Sequence, residues 1–142
     1  MSPRDTSKIK AAIVAMLLSD TALSSLMPDG VYTDVAPHGK TNFVIVSLVI
    51  GQDVGMFQQR AYEDKLYLVK AVSLGQSAAA AIAAAARIDV LLDYGSFLID
   101  GYNLMSSTRE ESIEVTEPDE VDTSIRWQHR GGRYRVLASP NP

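Results

Sequence analysis

The residues best equipped for chemistry in this chain crowd into its last third. The run Arg126-Trp127-Gln128-His129-Arg130-Gly131-Gly132-Arg133-Tyr134-Arg135 holds four guanidiniums and two large aromatic rings, and the stretch from Glu110 to Asp122 before it holds seven acids and no base. A guanidinium grips phosphate or carboxylate with a fork of N–H donors, and a neighbouring ring offers a stacking face to a base. The run therefore admits two readings. In one it is a nucleic-acid-binding segment built on Arg130 and Arg133 beside Trp127 and Tyr134. In the other the opposite charges pair, Arg126, Arg130, Arg133 and Arg135 with Glu110, Glu111 and Glu114, either across a hairpin, since they are close in the chain, or across an interface with a neighbouring subunit or partner. Disordered RGG segments repeat their motif and lack apolar alternation, whereas here the motif occurs once, inside a strand-like pattern. Regular alternation puts Ile125, Trp127 and His129 on one face and Arg126, Gln128 and Arg130 on the other, with Gly131-Gly132 able to form a bulge or bend.

Catalytic chemistry has little to work with. His38 and His129 have no histidine or cysteine neighbour at metal-ligand spacing, and cysteine is absent altogether. The acids from Glu110 to Asp122 read as a solvated run, with no feature that separates an acid/base pair from the rest. Gly51 and Gly55 in "GQDVG" lack the Lys-Ser/Thr sequel and the following helix of a phosphate-binding loop. The expectation is a protein that is not an enzyme, with no catalytic residue, no cofactor and no metal.

The elements that must carry these residues follow from periodicity. Ser7 to Leu18 places Ile9, Ile13, Met16 and Leu17 at helical spacing, with Thr6 or Ser7 as N-cap; Ser19-Asp20 then interrupts and caps a short turn bearing Leu23 and Leu26. "PDG" at 28–30 is turn chemistry, "VYTDV" a short strand, and Phe43 to Ile50 an apolar β-branched run suited to a central strand covered on both faces. A Gly-containing polar connection leads to a strand within Tyr62 to Leu74. Ser77 then caps an alanine-rich helix whose face is Ala81, Ala84, Ala85, Ile88, Leu91 and Leu92. Asn103 to Val115, an acidic turn, and Ser124 to Ala138 form a long C-terminal β-hairpin, and 138–142 is expected to fray. The fold class is α+β, a mainly antiparallel β-sheet with two principal α-helices packed on it, in one domain over 1–142. At 46% apolar residues this length can bury a core unaided, while the formal net charge of -4 disfavours a surface built to attract phosphate. No run reaches the roughly 20 apolar residues of a membrane span and the N-terminus lacks a signal-peptide pattern, so the expected chain is soluble and not secreted. The doubly apolar strand suggests that part of the sheet is covered by another chain.

In this order, the helix ending "LLSDTALSSL", then "VYTDVAPHGKTNFVIVSLV", "YLVKAVSLGQSAAAAIAAAARIDVLLD" and the terminal "WQHRGGRYRVLA", the sequence resembles the tail-terminator, or tail-completion, proteins of long-tailed bacteriophages. It departs from their usual pattern at Thr41-Asn42-Phe43, where such proteins often have a proline followed by tyrosine. The resemblance implies a structural virion protein forming a homo-oligomeric ring, usually a hexamer, at the tail-neck junction. Such a ring, assembled in the host cytoplasm, caps the head-proximal end of the tail tube, ends polymerisation of the major tail tube protein and docks the head completion or neck protein. DNA passes through its lumen without specific binding. The alternatives are a head-tail joining ring of the neck, and a small nucleic-acid-binding domain using the Arg-rich strand.

Overall fold

The computed structural model describes residues 7–56 and 59–141, apart from the side chains of 56, 59 and 60. Thr6, one of the two expected caps, lies outside them. The elements are α1 (Ser7–Ser19), α2 (Thr21–Leu26), β1 (Val31–Thr33), β2 (Asn42–Met56), β3 (Gln59–Gly75), α3 (Ala79–Leu92), β4 (Tyr102–Pro118) and β5 (Arg126–Pro140). The strands form one sheet in the order β1-β2-β3-β5-β4, antiparallel throughout except for the β1–β2 pair. This is the expected α+β class, with a third, short helix between the two principal ones.

Helices cover one face of the sheet. Ile9, Ile13 and Leu17 of α1 and Ala81, Ala84, Ile88 and Leu92 of α3 are all fully buried. Those of α1, with Ala84, Ile88 and Leu92, pack with Val44, Val46, Tyr67, Val69, Tyr134 and Val136 in the main core. Complete burial of each aliphatic side chain contributes about 1.5–3 kcal/mol, and alanines on α3 let its axis approach the strands. Asp20 breaks the first helix as its spacing predicts: its carboxylate accepts from the Leu23 N–H at 2.9 Å and caps α2. Ser77 is not the N-cap of α3 as expected: Ala78 takes that place without a side-chain hydrogen bond, and Ser77, one residue earlier, accepts from the Ala79 N–H at 3.1 Å.

Three further expectations are corrected. The Gly-containing connection after Ile50 is instead paired strand: β2 runs to Met56 and β3 begins at Gln59, so the two form a long hairpin. Phe43 to Ile50 does not lie in the central strand, which is β3; β2 sits one place from the sheet edge. Phe43 and Ile45 find cover on the second face in a small cluster with Val72, Tyr32 and Trp127, but Leu48, Val49 and Ile50 remain 44%, 43% and 52% exposed. Finally, of the tail expected to fray, residues 138–141 are held by backbone pairing, and Pro142 lies outside the described residues. Ser139 and Pro140 pair with Asn103 and Tyr102, and the Asn141 N–H donates to the Gly101 carbonyl at 2.9 Å.

Candidate interface on the C-terminal hairpin

β4 and β5 bring the expected acidic and basic residues into register. Glu114 stands opposite Arg130 and Glu111 opposite Arg133, with ion-pair distances of 3.4 and 3.5 Å. Arg135 is gripped twice, by both oxygens of Glu110 and by Asp64 of β3. This double clamp pushes the Arg135 guanidinium up from its ordinary value, Glu110 contributing most, and holds the Glu110 carboxyl below the usual carboxylate range. Arg126 does not join the ladder: it donates to the Thr123 and Ile125 carbonyls of its own turn. Asp64 escaped sequence reasoning because its pairing depends on β3 lying beside β5, and nothing local announces that neighbour.

Alternation along β5 is regular through the glycines. Gln128, Gly132, Tyr134, Val136 and Ala138 are buried on the helix side, and the partners on both neighbouring strands run without a break past Gly131 and Gly132. The expected bulge is therefore absent here; the irregularities fall on β4, between Leu104 and Ser106 and between Arg109 and Glu111. What Gly131 supplies is room. A Cβ on it would lie 2.2 Å from the Val69 carbonyl and 2.5 Å from the Lys70 Cα.

Neither aromatic ring is presented as a stacking platform. Tyr134 is 1% exposed and donates its hydroxyl to Asp89 of α3 at 3.0 Å; burial above all, and then Asp89, pushes its phenol up. Trp127 leans on Phe43 with ring centroids 6.3 Å apart and donates its indole N–H to Asp119 at 3.2 Å. His129 sits on the same face as Trp127, with Nε2 3.6 Å from a Glu117 oxygen. Its pKa is lowered by burial first and by Lys70 and Arg130, against an opposing pull from Glu117. Among the described residues no group of three His, Cys, Asp or Glu is placed to hold a metal ion, and no helix is long and apolar enough to cross a membrane.

Two clefts flank the hairpin. The one on the helix side, about 480 Å³, runs between Ile82, Ala85 and Ala86 of α3 and Ile113, Arg130 and Tyr134 of the hairpin. The other, about 440 Å³, has an apolar floor of Phe43, Ile45, Leu68 and Val72 with Lys70 and His129 at its side. The arrangement can present ordered, charge-balanced surface and partly open apolar surface; it does not present uncommitted guanidiniums at Arg130, Arg133 or Arg135.

No family model matches the chain, and no curated protein matches it. Among solved structures, the fold is shared with a chain from the virion of a native gene transfer agent (GTA) particle, at a TM-score of 0.63 and 21% sequence identity, over 91% of this chain and 94% of that one.

Proposed function

We infer that this chain is a structural virion protein that works by shape and contact, forming a ring at the head-proximal end of a phage-type tail tube. There it ends tube polymerisation and offers a docking surface to the head or neck. The observation that carries this reading is the fold likeness to a virion chain over nearly the full length of both. Its motif order points the same way, as does the apolar surface left at Leu48, Val49 and Ile50. The nucleic-acid-binding reading fares worse, because its guanidiniums are already paired with glutamates and its two rings are packed or hydrogen-bonded within the subunit.

Electron microscopy of the purified protein, alone and mixed with tail tubes, tests the reading. Rings of uniform diameter that sediment with tubes are expected; rings that sediment with filled heads instead move the protein to the neck. A strictly monomeric species that forms no ring on tubes defeats both.

A further inference from the structure

We propose that copies of this chain join edge to edge: the outer edge of β4 in one copy hydrogen-bonds antiparallel to the outer edge of β2 in the next, so that one sheet runs through the subunit boundary. The proposal rests on the ring reading and names the contact that would build the ring.

Both edges are open over long stretches. β1 covers only a short part of the outer edge of β2, with Val31 to Thr33 set against Val44 to Val46. Beyond it, from Ser47 to Met56, β2 has β3 on one side and no strand on the other among the described residues. At the far end of the sheet the connection after α3 meets β4 at Ser107, whose carbonyl accepts from the Tyr94 N–H at 2.6 Å, and at Arg109, whose N–H reaches Asp93 at 2.9 Å. From Glu111 to Pro118 no strand pairs with that edge among the described residues.

Exposed edges are ordinarily blunted by lysine, proline or shortness, because unpaired N–H and C=O groups recruit another strand. The open part of β2 holds neither lysine nor proline, and it exposes Leu48, Val49 and Ile50. The open part of β4 adds Val115, 43% exposed, and a half-buried Ile113. Its three glutamates each face a partner on their own hairpin, Glu111 at Arg133, Glu114 at Arg130 and Glu117 3.6 Å from His129, and its proline, Pro118, stands only at the last position of the strand.

Direction and geometry agree with a head-to-tail join. β4 is antiparallel to β5, β5 to β3 and β3 to β2, so repeating the sheet brings β4 of one copy beside an oppositely directed β2 of the next. Different edges meet, which is a heterologous contact that closes into a ring when the rotation permits. The open stretches also lie at opposite ends of the sheet: Val44 of β2 is level with Glu114 of β4 through Ala71 and Arg130. Joining them slides each copy along the strands by about eight residues, about 26 Å, which inclines the strands to the ring axis as in closed barrels.

Introduced cysteines test the join, because the chain has none of its own. Each of Leu48→Cys, Ile50→Cys and Gln52→Cys is combined with each of Ile113→Cys, Val115→Cys and Glu117→Cys, which spans the neighbouring registers. Within one chain these strands are three spacings apart, about 14 Å, beyond the roughly 7 Å limit for a disulfide. Mild oxidation of assembled protein is expected to give a ladder above dimer on a denaturing gel, collapsed by reductant, from at least one pair. A helix-side pair, Leu18→Cys with Val90→Cys, is expected to give none. Rings by light scattering with no ladder from any edge pair overturn the join and leave the ring reading standing; a chain monomeric with and without tubes overturns both.

Discussion

At the scale of single residues, the hairpin charges serve the subunit first. Arg135 holds Glu110 and Asp64, and because Glu110 has its folded pKa depressed, its contribution is present above the ordinary value of 4.5 and is lost as pH falls through the depressed one. That pair is partly exposed, so its worth is at the modest end of surface ion pairs, at most about 1 kcal/mol. His129 makes a sharper prediction at milder pH. Its folded pKa is also depressed, chiefly by burial, so the unfolded chain binds the proton more readily once pH drops below the ordinary 6.5. Urea unfolding at pH 7.5, 6.5 and 5.5 is expected to show falling stability, and His129→Gln is expected to flatten that fall. An equal fall in the variant would place the cause elsewhere.

At the scale of elements, close approach is the governing constraint. Gly131 passes between β3 and β4 with the Val69 carbonyl hard against the place a Cβ would take, so Gly131→Ala is expected to lower stability by about 1–3 kcal/mol, read from denaturant midpoints. Helix α3 offers an internal comparison. Ala84 is fully buried against the sheet whereas Ala83 is exposed. Ala84→Leu should cost about 1–3 kcal/mol by overpacking, and Ala83→Leu should stay within about 0.5 kcal/mol. Arg87 adds a tie that spacing did not reveal: its guanidinium grips the Asp20 carboxylate at 2.8 and 2.6 Å, joining α3 to the cap of α2 and holding Asp20 below the usual carboxylate range. The segment 51–56 shows why local chemistry misled. Glycine, Gln and Asp there favour a turn, yet pairing with β3 outweighs that preference, and Gly51 makes room for the Lys65 stem.

At the scale of the whole molecule, affinity for DNA separates the readings. A channel wall with paired arginines should bind duplex weakly with a shallow salt slope, and Arg130→Ala with Arg133→Ala should change that binding little; a steep slope abolished by the double variant would restore the nucleic-acid reading. Sequence alone determined the things that depend on local patterning: the break and cap at Asp20, the buried face of α3, the C-terminal hairpin, with pairing of its arginines to Glu110, Glu111 and Glu114 as one of the open readings, and hence the α+β class. Periodicity records which face of an element is apolar and where a helix starts. It does not record which element lies beside which. Only the tertiary structure decided that β3 is the central strand, that Asp64 shares Arg135 with Glu110, that Tyr134 reaches Asp89, and that among the described residues β4 and the part of β2 beyond β1 keep open edges, because each of these depends on strand order set by contacts far apart in the chain.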